Sequence, residues 1–212
     1  MKHTAAVLMA MFLLIPASGC RQKEQEPLVI PDAPIEEVQN TPETTPEAKT
    51  DDSEKEYALM AKYELPEDQK VFIQSNMNKI MQKFQNKESF VLYMGQGNCN
   101  WCRHAVPVLY QSAQELESEI QYINMEDPYA WKTEDQRESY DAFIEIVNDY
   151  LKEDSEGKKH VYIPFVVFVR NGIVMDAHIS TLDDDEGEEE LTDEQKGELK
   201  QIYYSGIIRA GA

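Results

Sequence analysis

Gly97-Asn98-Cys99-Asn100-Trp101-Cys102 follows the apolar run Phe90-Val91-Leu92-Tyr93-Met94 and opens a stretch with helical spacing. Two thiols at Cys-x-x-Cys spacing close a small disulfide ring with little motion. A helix start beside the first thiol favours its thiolate, the form that attacks disulfides. The chemistry this points to is thiol–disulfide exchange, with Cys99 and Cys102 as the reacting pair.

Working outward, the periodicity predicts a helix from Pro66 to Phe84, with Ile73, Met77, Ile80 and Phe84 on one stripe. Phe90–Met94 reads as a central strand. Residues 99–118 read as a helix with Val106, Leu109, Ala113 and Leu116 inward and a kink at Pro107. Ile120–Met125 is a second strand. Thr133–Glu153 is expected to be helical, with Asp154–Lys159 a polar loop. Pro164-Phe165-Val166-Val167-Phe168-Val169 has the unbroken apolar character of a strand buried on both faces. Asn171-Gly172 is a hairpin signal, because both residues tolerate positive φ, and Ile173–Ser180 returns as the partner strand. Thr192 with Gln195 three residues on predicts the start of a last helix, to about Ile208. Strands alternating with helices and ending in a hairpin define an α/β protein.

The chain ends contribute a different kind of information. Lys2 and the apolar stretch Ala5–Ile15 have the form of an export signal too short to span a bilayer as a mature helix. Pro16-Ala17-Ser18-Gly19-Cys20 resembles a bacterial lipobox, with Ala17 where a larger aliphatic residue is usual. The resemblance implies cleavage before Cys20 and its lipidation. Residues 1–20 are thus expected to be a signal peptide, and 21–56, rich in Pro, Glu, Asp and Thr, an acidic disordered tether. Residues 57–212 are long enough for one domain with its own core.

Of three cysteines, Cys20 is assigned to lipid, which leaves one pair and no structural disulfide. A four-residue ring adds little to fold stability, so the pair reads as a working site. The formal net charge of −20 disfavours nucleic acid as a partner, since phosphate binding needs Lys/Arg patches. A zinc site would need four ligands. Beyond the pair only His104, His160 and His178 are on offer, so no metal is expected. Haem attachment would need His directly after Cys102, where Arg103 stands. His104 reads as a helix-face residue, and Arg103 as an exposed one. The acidic run 183–190 does not match an EF-hand loop and is expected to be solvated.

The element order and four points in register resemble the thioredoxin family over residues 65–208. These are the Cys pair after the first central strand, Pro107 five residues past Cys102, Ile163-Pro164 before a strand, and the Asn171-Gly172 hairpin. The resemblance implies a three-layer sandwich around a mixed four-stranded sheet. It implies that Cys99 attacks and Cys102 resolves. It further implies that Pro164 is cis, that Ile163 offers backbone hydrogen bonds to an extended substrate, and that Asn100 and Trp101 contact it. The redox-active disulfide is the only cofactor implied. The chain departs from the family in several places. Asn100-Trp101 replaces Gly-Pro between the cysteines, and Asn98 precedes the first. Tyr93 and Tyr122 stand where the family carries a buried Asp and its Lys, so the proton relay is absent or rebuilt. The stretch from Pro128 to His160 is long, as in lipoprotein and bacteriocin-transport accessory proteins of Gram-positive bacteria.

Two functions stay open at this point. One is a lipid-anchored, extracytoplasmic thiol–disulfide oxidoreductase acting on protein thiols and disulfides, with a membrane electron donor or acceptor. The other is a non-catalytic binding or accessory module for an exported peptide or secretion partner.

Overall fold

The computed structural model describes residues 56–58 and 60–212. The expected signal peptide, Cys20 and the tether up to residue 55 lie outside the described residues. The elements are β1 (Phe72–Gln74), α1 (Met77–Gln85), β2 (Phe90–Gly95), α2 (Asn100–Glu115), β3 (Ile120–Asn124), α3 (Pro128–Trp131), α4 (Glu134–Val147), β4 (Lys152–Glu153), β5 (Lys159–His160), β6 (Phe165–Arg170), β7 (Ile173–Ile179) and α5 (Asp193–Ala210).

Side-chain alternation along the strands builds the layers. In β2, Val91 and Tyr93 face one way and pack with Val106 and Leu109 of α2 and Leu199 and Tyr203 of α5. Phe90, Leu92 and Met94 face the other way, against Ile80 and Phe84 of α1 and Phe143 and Val147 of α4. The result is the expected α/β/α sandwich. The sheet order is β1-β3-β2-β6-β7, with β1 and β2 parallel to β3 and β6 antiparallel to β2 and β7. Because β1 to β2 and β2 to β3 step in opposite directions, right-handed crossovers place α1 and α2 on opposite faces. This is the topology of the thioredoxin fold. β2 lies at its centre with every residue buried, and it delivers the chain to the Cys pair.

The sheet has five strands rather than the expected four, because the first predicted helix starts late. Residues 72–74 (Phe-Ile-Gln) are extended, and they pair with Ile120–Tyr122. The helix begins only after Asn76, whose side chain accepts from Lys79 N at 3.0 Å. Ile73 matched the helical stripe by spacing alone. The preceding corner is pinned by the buried Gln69 amide, which bonds the backbone of Ala58, Val71 and Phe72.

The predicted helix over 133–153 also stops short, at Val147, and a 3₁₀ turn covers Asn148–Tyr150. Lys152–Glu153 then pairs with Lys159–His160, because Asp154 Oδ1 accepts from the amides of Glu156 and Lys158 and reverses the chain. The hairpin at Asn171-Gly172 is as expected, with φ of 51° and 73°. Thr192 and Gln195 form a reciprocal capping box at the start of α5.

Candidate functional site around Cys99 and Cys102

Cys99 is the N-cap of α2, and its Sγ accepts from Cys102 N at 3.1 Å. The sulfur stands where a capping oxygen would, at the positive end of the helix dipole. Cys99 is half-buried, whereas Cys102, one turn in, is fully buried, and both are free thiols. The hydrogen bonding from Cys102, together with the Trp101 backbone, outweighs burial and lowers the Cys99 thiol from 9.0 to about 7. Cys102 moves the other way. The neighbouring Cys99 sulfur and then burial both raise it. The arrangement thus separates an accessible, acidic thiol from a buried, protonated one.

The Ile163–Pro164 peptide is cis. Ile163 O lies 3.8 Å from Cys99 Sγ, and the Ile163 side chain packs on the same core face as Cys99. The structure therefore brings Cys99, Cys102 and Ile163 together from α2 and the approach to β6. Pro164 is buried, and Asn100 is exposed at the first position of α2.

Trp101 is 39% exposed, and its indole is held. Nε1 donates to Asp185 O at 2.9 Å. Gly187, at φ 75°, lies against the ring so closely that a Cβ there would come within 2.8 Å of Trp101 Cε2. The acidic run is accordingly not a purely solvated loop, and that expectation is corrected at Asp185. Its side chain is only 3% exposed. It accepts from His104 Nδ1 at 2.9 Å, from the Thr181 hydroxyl and from Gly187 N at 2.8 Å. Burial pushes its carboxyl up, but the Thr181, His104 and Gly187 hydrogen bonds prevail and hold it below the ordinary range. His104 is correspondingly more than a helix-face residue, since it ties α2 to this loop. Segment 181–187 is a strap laid beside the Cys pair. A uniform acidic run gives no sign of which carboxylate turns inward.

A cleft of about 550 Å³ opens beside the strap, lined among others by Tyr63, Asn100, Arg103 and His104. Next to it lies a second group, in which the sequence pointed to Tyr93 and Tyr122 but not to Tyr63. Tyr63, Tyr93 and Tyr122 belong to the same core cluster as Cys102. The hydroxyls of Tyr63 and Tyr93 are 3.3 Å apart, and the Tyr93 and Tyr122 rings stack at 5.4 Å between centroids. Burial, followed by the electrostatics of Cys102, raises Tyr93. Burial likewise leads in pushing Tyr122 up to about 12.

Fold and site together define the class: a thioredoxin-fold chain with a Cys-x-x-Cys pair at the start of the helix after its central strand. No protein-family model matches the chain, and no curated protein matches it. Among solved structures it is similar to one described as "A putative oxidoreductase with a thioredoxin fold". The two are 13% identical, with 67% of this chain and 95% of that chain covered and a TM-score of 0.41.

Proposed function

We propose that the protein is a thiol–disulfide oxidoreductase that exchanges disulfides with protein substrates through Cys99 and Cys102. The observation that carries this reading is the division of labour between the two thiols, one half-exposed at the helix N-cap and acidified to about 7, the other sealed beneath it. In the reductive direction the Cys99 thiolate attacks a substrate disulfide, forming a Cys99–substrate S–S bond and expelling one substrate thiolate. Cys102 then attacks Cys99 Sγ, the mixed disulfide breaks, and the second substrate sulfur leaves with the electron pair. Ile163, Pro164, Asn100 and Trp101 are the groups we assign to substrate contact, and the disulfide itself is the only cofactor the reaction requires.

We further propose that Cys20 carries lipid and holds the domain on the outer face of a bacterial cell membrane. Export chemistry at residues 1–20 supports this, as does a cysteine count that leaves one pair for the domain. On the length of 128–160 we place the chain nearest the lipoprotein and bacteriocin-transport accessory proteins. A membrane electron donor or acceptor would complete the cycle.

The test is the reduction potential of the pair in a Cys20→Ser chain, equilibrated against dithiothreitol or glutathione and read by thiol trapping. A reversible two-electron couple is expected. A value near −270 mV marks a reductase and one near −120 mV an oxidant. Absence of any such couple would overturn the enzyme reading in favour of the binding module. For the anchor, Cys20→Ser should move the protein from the membrane to the soluble fraction of expressing cells.

A further inference from the structure

Trp101 stands between the two thiols in sequence, and the strap leaves it one free surface. The indole N–H is taken up by Asp185 O at 2.9 Å. A Cβ on Gly187 would lie 2.8 Å from Trp101 Cε2 and 3.1 Å from both Cδ2 and Cζ2. Three adjacent ring atoms at nearly one distance place Gly187 over the face of the ring rather than at its edge. The opposite face remains, and Trp101 is exposed. This arrangement is held from several directions. The Asp185 carboxylate, 3% exposed, accepts from His104 Nδ1, the Thr181 hydroxyl and Gly187 N. Ser180, at φ 69°, turns the chain out of β7 with its N–H on Pro164 O at 2.8 Å. A non-glycine residue in that region carries strain that its surroundings must hold in place.

Trp101 lines a second cleft, of about 470 Å³, whereas Gly187 lines the one beside Arg103, so the strap separates the two. Tyr150, Ile179 and Leu182 are among the other walls of the second cleft. Lys152 and Asp183 also line it, with opposite charges, so it favours no net charge in an occupant. Tyr150 and Lys152 come from the long stretch 128–160, and Leu182 and Asp183 belong to the strap. The cleft adjoins the reacting pair. Ile179 pairs with Phe165, next to the cis Ile163–Pro164 bond, and Ile163 O lies 3.8 Å from Cys99 Sγ.

We propose that Asp185 and Gly187 are positioning residues that fix Trp101 as an aromatic platform, and that the cleft on its free face takes an apolar or aromatic side chain flanking the substrate's disulfide cysteine. The proposal rests on the thiol–disulfide reading and names the class of polypeptide that this reading leaves open. With its N–H already bonded, the indole offers a substrate no donor. A substrate gains there by burying apolar surface or by packing ring on ring. Holding the indole in one place removes the side-chain entropy that a free tryptophan loses on contact. The strap therefore acts on binding, while the exchange itself stays with Cys99 and Cys102.

The experiment uses the reduced chain in a Cys20→Ser background and three disulfides. These are the dimer of acetyl-Ala-Phe-Cys-Phe-Ala-amide, the same peptide with alanine for phenylalanine, and 2-hydroxyethyl disulfide. Oxidation of the Cys pair under excess disulfide is followed by thiol trapping, which gives a maximal rate and a half-saturating concentration. The phenylalanine peptide is expected to half-saturate at about 5-fold lower concentration than the alanine peptide, the size of one aromatic pair. Asp185→Ala should remove that preference while leaving the maximal rate and the rate with 2-hydroxyethyl disulfide unchanged. Asp185→Asn keeps an oxygen for Gly187 N and should retain most of the preference. Gly187→Ala drives the ring from its seat and should remove it, and this variant decides the question if Asp185→Ala does not fold. In a Trp101→Ala chain, adding Asp185→Ala should change the half-saturating concentrations no further. Equal half-saturation by the two peptides with the parent chain overturns the subsite. A preference that survives Asp185→Ala and Gly187→Ala in folded chains overturns the positioning role, as does a loss of rate shared equally by all three disulfides. Failure of every disulfide to oxidise the parent chain overturns the oxidoreductase reading itself.

Discussion

Cys99 and Cys102 start from the same thiol acidity, 9.0, and the fold moves one to about 7 and the other upward. The cause lies in position. Cys99 receives amide hydrogen bonds at a helix start, while Cys102 receives a sulfur neighbour and no water. Alkylation of Cys99 by iodoacetamide in the Cys20→Ser chain should therefore titrate with a midpoint near 7. A midpoint near 9 would remove the physical basis for calling it the attacking thiol. Cys102 should resist the reagent until the protein unfolds. The linkage has a definite sign. The folded pKa of Cys99 lies below the unfolded one, so its stabilising effect on the reduced protein is present above about 9 and fades as pH falls through about 7. Cys102, raised instead, opposes folding increasingly above 9. Denaturant midpoints of the reduced protein should rise between these two values relative to a Cys99→Ser chain, in which the rise disappears.

The strap shows what an element can add to a reactive residue. Asp185 turns inward from an acidic run to meet His104, Thr181 and the Gly187 amide, and its own carbonyl holds the Trp101 indole. Asp185→Ala removes the side-chain bonds and leaves His104 Nδ1 and Gly187 N to find water. A loss of about 1–3 kcal/mol is expected for such buried polar groups. Faster hydrogen exchange should be confined to 181–187 and the start of α2. Unchanged exchange there would mean that the strap is held by packing alone. Gly187→Ala should displace the same segment by a different cause, because it puts a Cβ at φ 75° against the Trp101 ring. Sequence periodicity located β2, α2, β6, the hairpin and α5, because each is long or carries a local chemical signal such as Asn-Gly or Thr-x-x-Gln. It misassigned β1, whose three residues fit a helical stripe through Ile73. It also missed β4 and β5, which the side chain of Asp154 creates rather than any apolar pattern. The Cys pair was legible because its chemistry lies within four residues. Asp185 and Tyr63 were not, since they meet α2 and β2 only through tertiary contact.

Across the whole molecule, two opposing quantities set the margin of stability. The two core faces of the sheet supply the favourable side, each fully buried Leu, Ile, Phe or Val contributing about 1.5–3 kcal/mol. Leu92→Ala, at the centre of β2 and buried completely, should accordingly cost about 2–5 kcal/mol in chemical denaturation. Against the core stands a formal charge of −20, from 40 acidic and 20 basic side chains, which repels itself more in the compact state than in the expanded one. The ion pairs do not offset this. Lys62–Glu126, Lys83–Glu88 and Lys200–Glu115 are all partly exposed, and such pairs are worth about 0–1 kcal/mol each. Added salt weakens both repulsion and pairing, so the sign of its effect reveals which is larger. With twice as many acids as bases, repulsion should dominate. Raising sodium chloride from about 0.01 to about 0.3 M shortens the screening length well below the size of the domain. Tm should then rise by a few degrees, about 2–4 °C corresponding to 1 kcal/mol in a chain of this length. Chloride suits the measurement because it lacks the strong surface exclusion of sulfate, which would stabilise any fold. A Tm that falls with sodium chloride would mean that the ion pairs outweigh the net charge, and that the acidic surface is organised rather than merely solvated.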